Sequence, residues 1–79
     1  MTIKVNFEVT DTFGGEANYL WVNRGSVEFK KQPTSRQIVL ALKKFAGLTG
    51  VRCRKEDYGD QIALHPVGMC IVAFANVEY

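Results

Sequence analysis

Cys53, Cys70, His65, Asp57 and Asp60 are the residues of this 79-residue chain whose types most readily carry out a reaction. His65 and Cys70 lie close in sequence, and the two aspartates flank a turn. A Cys–His nucleophile needs hydrogen-bond reach and a third group that orients the base. No third group stands at a diagnostic spacing. Cys70 lies in the apolar run Met69-Cys-Ile-Val-Ala-Phe-Ala75, where a thiolate is disfavoured. Gly14-Gly15 is not followed by a helical pattern, so it is not a phosphate-binding loop. The two cysteines lack His or Cys neighbours at ligand spacing, which argues against a zinc site. These residues point away from an enzyme, a metal and a cofactor. A small enzyme using Cys70 or His65 ranks third among the functional classes.

The N-terminus alternates like a strand and carries no pattern of a secretory signal. We therefore expect a cytoplasmic protein with two free thiols. Free cysteine is usually buried, so both are assigned to the core.

Residues for binding are better represented. The sheet face away from the helix is expected to display Lys4, Asn6, Tyr19, Trp21, Arg52, Arg54, Gln61 and His65. Aromatics beside arginines can stack bases and hold phosphates, which makes RNA or single-stranded nucleic acid a candidate partner. No RNP-type motif, helix-turn-helix or zinc module accompanies them. For a protein partner, Phe13, Tyr19 and Trp21 on or beside the first hairpin are anchor types enriched at interfaces. Leu40 sits on the polar side of the helix among Arg36, Lys43 and Lys44, a small hot spot for an acidic-rimmed partner. A sheet with one helix leaves a face partly bare, and a homodimer could close it.

The elements that position these residues follow from periodicity. Residues 2–10 alternate, with Ile3, Val5, Phe7 and Val9 on one face. Gly14-Gly15 marks a turn. Residues 18–30 form a second strand in which Leu20 and Val22 have one parity and Val27 and Phe29 the other. A bulge at Arg24-Gly25 restores one apolar face; a tight turn at Asn23–Ser26 is the alternative. Thr34 caps a helix over residues 35–46, with Gln37 completing a capping box and Gly47 stopping it. Ile38, Val39, Ala41, Leu42, Phe45 and Ala46 form its apolar arc. Residues 51–57, 61–65 and 69–78 follow as strands, and the last, apolar at both parities, reads as central. The order is β-β-α-β-β-β. It predicts an α+β domain spanning 1–79, with one helix on a mostly antiparallel sheet of four or five strands. With the last strand beside the first, the layout is β-grasp-like.

Composition agrees with a globular domain. The chain is 47% hydrophobic and 23% charged, too apolar for disorder. No apolar run approaches the ~20 residues that span a bilayer, so no membrane partner is expected. The net charge of +2 hides a strong asymmetry. Residues 1–23 balance to −2 and residues 56–79 to −4. Residues 24–55, with Arg24, Arg36, Lys43, Lys44, Arg52 and Arg54 among their cations, balance to +8. If the strands and helix of that middle lie side by side, one face is basic and suits an acidic or polyanionic partner.

The segments Phe13-Gly-Gly-Glu-Ala-Asn-Tyr-Leu-Trp-Val22, Arg36-Gln-Ile-Val39, Thr49-Gly-Val-Arg-Cys-Arg54 and Tyr58-Gly-Asp-Gln-Ile62 resemble small uncharacterised accessory proteins of phages and mobile elements. The resemblance is one of style and covers most of the chain. It implies a protein made in a bacterial host cytoplasm. Some proteins of that kind inhibit host defences, CRISPR complexes among them, by occupying a binding surface. The resemblance assigns no residue a role, and the basic middle departs from the acidic style of DNA mimics. The expected function is therefore a phage-type binding protein that inhibits or modulates a host complex through protein–protein contacts. Nucleic-acid binding is the alternative.

Overall fold

A computed structural model of the chain describes residues 2–14 and 16–78. The elements are β1 (Ile3–Phe13), β2 (Glu16–Phe29), α1 (Ser35–Ala46), β3 (Cys53–Asp57), β4 (Gln61–Pro66) and β5 (Ile71–Glu78). The strands form one sheet in the order β2-β1-β5-β4-β3, and every neighbouring pair is antiparallel. This is the α+β arrangement of one helix on a five-stranded sheet. The last strand lies beside the first, but the likeness to a ubiquitin-like grasp ends at that adjacency, because the sheet has no parallel pair.

Alternation in β1 sends Val5, Phe7 and Val9 toward the helix, where they are buried with Ile38 and Leu42. The helix keeps its expected limits. Thr34 accepts from the Gln37 N–H at 3.2 Å, and the Gln37 side chain accepts from the Thr34 N–H at 2.8 Å. Gly47 adopts φ 72°, the left-handed conformation that ends a helix at little cost in glycine. β5, at the centre of the sheet, buries Val72 on one face and Ala73 and Ala75 on the other. Two strands are shorter than their patterns: residues 51 and 52 precede β3, and Met69 and Cys70 lie in the turn before β5.

The expected bulge at Arg24-Gly25 is absent. From Ile3↔Phe29 to Thr10↔Val22 the β1–β2 register is unbroken. Gly25 has a different purpose. It lies opposite Phe7, and a Cβ there would collide with the ring of Phe45, which stacks at 5.4 Å from Phe7. The missing side chain is space for an aromatic ring. Gly25→Ala is expected to cost about 1–3 kcal/mol by displacing that ring. In a Phe45→Ala background the same change should cost much less. Equal penalties in urea melts of the two backgrounds would contradict the account.

The sheet face away from the helix is not bare at its centre. Thr10, Ala63 and Val72 point there and are already buried. The apolar patch expected on that face is therefore covered within the chain. Among the large exposed apolar side chains, Phe13, Tyr19, Leu20 and Trp21 sit together in sequence at the far end of the first hairpin.

Candidate functional site

The β1–β2 register breaks between Thr10↔Val22 and Thr12↔Ala17, so Asp11 alone faces the segment Asn18–Trp21. The irregularity does not bring the apolar residues of β2 onto one face: Val22, opposite Thr10, lies on the face away from the helix, and Val27, opposite Val5, lies on the helix side. Tyr19 takes φ 57°, a left-handed conformation that costs a non-glycine residue about 1–2 kcal/mol. Two side chains of β1 offset that strain. The Thr10 hydroxyl accepts from the Tyr19 N–H at 3.0 Å and donates to the Trp21 carbonyl at 3.0 Å. The Asp11 carboxylate accepts from the Leu20 N–H at 2.8 Å, the Trp21 N–H at 3.4 Å and the Asn18 side-chain amide at 2.9 Å. Three successive backbone N–H groups thus converge on Thr10 and Asp11, as they converge on an anion in a backbone nest.

The outcome is a braced knuckle with apolar side chains outward. Phe13 and Leu20 are each 80% exposed, and Tyr19 and Trp21 are 52% and 42% exposed. The Thr12 N–H donates to the Cys70 carbonyl at 2.9 Å, extending the β1–β5 ladder toward Met69, which is also exposed. Of the expected anchors, Phe13, Tyr19 and Trp21 are brought to this end. Leu20 was expected in the core. Tyr19 and Trp21 were expected to share a face by simple alternation, and the register break falls on that segment. Thr10, Asp11, Asn18, Leu20 and Met69 were missed. The available signal was the Thr10-Asp11 pair, whose side chains readily capture nearby backbone N–H groups.

The carboxylate of Asp11 is held below its ordinary pKa of 3.8, chiefly by the Asn18 amide; burial opposes it, and the Leu20 and Trp21 N–H groups lower it further. A carboxyl with a lowered folded-state pKa stabilises above the unfolded value and loses that contribution as pH falls through the folded value. The Leu20 and Trp21 amide resonances should therefore titrate with a midpoint below 3.8. A midpoint at or above it would contradict this role. Tyr19 is raised above its ordinary value, first by the Glu8 carboxylate acting as acceptor for its hydroxyl.

The cations do not gather into one face. β2 and β3 are the opposite edges of the sheet, about 19 Å apart at four strand spacings. Arg24 on β2 donates to Glu8 at 3.1 Å. Arg54 on β3 stands opposite His65, and Arg52 precedes that strand. Lys43 donates to the Val51 carbonyl at 3.1 Å, so it ties the helix to the chain before β3. Arg36, Leu40 and Lys44 remain exposed on the helix, which bridges the two edges.

The candidate reactive residues are dispersed as well. His65 is paired with Glu56, whose carboxyl is lowered first by the Tyr58 hydroxyl and then by His65. Both cysteines are free thiols, but Cys70 is exposed in its turn and only Cys53 packs partly against the core. The apolar run around Cys70 does not bury it, because β5 begins at Ile71 and Cys70 lies in the turn before it. A thiol reagent applied to the folded protein should modify Cys70 well before Cys53. Equal rates would contradict that placement. Among the described residues no group of three or more His, Cys, Asp or Glu is placed to hold a metal, and no pocket opens. Nor is any helix long and apolar enough to cross a membrane.

Comparison with protein-family models, curated proteins and solved structures finds no match.

Proposed function

We propose that this protein acts by binding another protein through the hairpin knuckle. The observation that carries the reading is the exposure of Phe13 and Leu20, 80% each, beside a backbone braced by Thr10 and Asp11. Clustered apolar side chains on a monomer's surface mark interaction sites. A braced segment loses little conformational entropy when a partner covers it. Tyr19 and Trp21 add the amphipathic aromatic type that interfaces favour. Leu40, with Arg36 and Lys44, offers a second contact to an acidic rim. In the finer reading the partner is a bacterial host complex and the protein is a phage-type inhibitor that occupies one of its surfaces. The sequence resemblance alone supports that part.

The test is affinity capture from a bacterial extract with the wild type and with the variant Phe13→Ser/Leu20→Ser. A stoichiometric partner is expected with the wild type and not with the variant, whose melting should be unchanged. Recovery of the same partner with both, or of the bait alone, would count against the reading.

Nucleic-acid binding has weaker support. Arg54 and His65 are cross-strand neighbours on the face away from the helix, but Glu8 and Glu56 share that face and the arginines occupy opposite edges. A gel shift with single-stranded RNA at two salt concentrations separates the readings. A steep loss of affinity with added salt would move the assignment to nucleic acid.

A further inference from the structure

The β2 edge carries a self-complementary pattern. Its residues Val22–Phe29 pair regularly with β1 on one side and lie at the margin of the sheet on the other. The ladder determines which backbone groups face outward. The Thr12 N–H bonds to the Cys70 carbonyl, on the β5 side of β1. Bonding direction alternates residue by residue in an antiparallel sheet. Even-numbered residues of β1 therefore bond toward β5, and odd-numbered ones toward β2. Asn23, Gly25, Val27 and Phe29 return those bonds to β1. The N–H and C=O groups of Val22, Arg24, Ser26 and Glu28 consequently point away from the sheet. None of them has a backbone partner outside it among the described residues. Residues 22–29 contain no proline and no bulge, two of the devices that block a free edge, and the charges they carry, Arg24 and Glu28, are of opposite sign.

We propose that a second copy of this chain pairs with this edge, antiparallel, about a two-fold axis at Ser26. An isologous contact must satisfy each residue with its symmetry partner. With the axis at Ser26, Arg24 stands opposite the other copy's Glu28, and Glu28 opposite the other copy's Arg24. Ser26 meets Ser26. About six ladder hydrogen bonds form from the outward groups of Arg24, Ser26 and Glu28 in the two copies. Moving the axis to Arg24 or to Glu28 sets like charges face to face, which is destabilising. An axis at Gly25 sets Arg24 opposite Ser26 and forfeits both ion pairs, and one at Val27 sets Arg24 opposite Lys30, so the charge pattern favours the register centred on Ser26. Arg24 also serves Glu8 within its own chain, and its side chain is 69% exposed, so its remaining donors are free for the second carboxylate. On the helix side, Val27 of each copy falls opposite Gly25 of the other, beside the exposed flank of Phe45. This surface is separate from the knuckle and does not depend on it.

Sedimentation equilibrium of the full chain tests the proposal. A mass twice the 8.9 kDa monomer is expected at micromolar concentrations. Ser26→Pro removes an outward N–H that the monomer does not use, so it should return the mass to one chain while circular dichroism and melting stay unchanged. If that variant unfolds, Ser26→Lys sets two ammonium groups across the axis and should have the same effect. In a Cys70→Ser background, Ser26→Cys should form an intermolecular disulfide under diamide far faster than Arg24→Cys or Glu28→Cys, because only position 26 meets itself. A monomeric wild type, a folded Ser26→Pro or Ser26→Lys that remains dimeric, or equal crosslinking at the three positions would overturn it. A monomer that adds an extended peptide of another protein at this edge would likewise overturn it.

Discussion

Phe7→Ala is expected to lower the free energy of unfolding by about 3–5 kcal/mol, a large share of the 5–15 kcal/mol typical of a whole domain. Phe7 is nearly fully buried, and its cross-strand neighbours are Gly25 on β2 and Ala75 on β5. Two small residues leave the width of a ring between the flanking strands, and Phe45 covers it from the helix. After truncation the strands cannot close in, because both are held by their ladders at fixed spacing. The cavity therefore persists, and the cost falls at the upper part of the range for a large-to-small change. Urea denaturation with the slope held constant gives the number. A loss below about 1 kcal/mol would show that the site collapses after all. Phe7→Leu keeps most of the volume and should recover much of the loss.

Thr10→Val should cost about 1–3 kcal/mol although it is nearly isosteric, and it should disarm the knuckle. The hydroxyl of this fully buried residue is acceptor for the Tyr19 N–H and donor to the Trp21 carbonyl. Valine leaves both without that partner and withdraws support from the left-handed Tyr19. Thr10→Ser keeps the hydroxyl and should retain most of the local structure. Amide exchange at Tyr19, Leu20 and Trp21 reads the difference directly. It should quicken in Thr10→Val and change little in Thr10→Ser. If partner binding runs through the knuckle, Thr10→Val should weaken it while leaving the rest of the surface intact. Unchanged exchange at those three amides in Thr10→Val would remove the bracing role.

Much of the fold was legible residue by residue. The helix limits followed from Thr34, Gln37 and Gly47, because capping is satisfied within a few residues of chain. Alternation in β1 identified Val5, Phe7 and Val9 as core for the same local reason. The apolar run of β5 marked a strand covered on both faces. The site was less legible. Phe13, Tyr19 and Trp21 were recognisable as anchor types, but Leu20 looked like a core residue and Asp11 was given no role. Their roles depend on a side chain of one strand capturing the backbone of another, a pairing that periodicity does not encode. Gly25 marked a special position correctly, yet its reason lies in Phe45, which comes from the helix.

The charge layout divides in the same way. Composition and order along the chain established a basic middle between two acidic ends, since counting residues requires no fold. Whether that middle forms one surface depended on strand order. The chain leaves β2, crosses by the helix and re-enters the sheet at the opposite edge, so the cations of β2 and β3 are parted by the width of the sheet. Cys70 was decided there too: β5 begins one residue later, at Ile71, and leaves the thiol in the exposed turn. Local sequence determined which segments become helix and strand, because those preferences act over a few residues. Tertiary pairing alone decided which residues became neighbours, because register and strand order are set by contacts far apart in the chain.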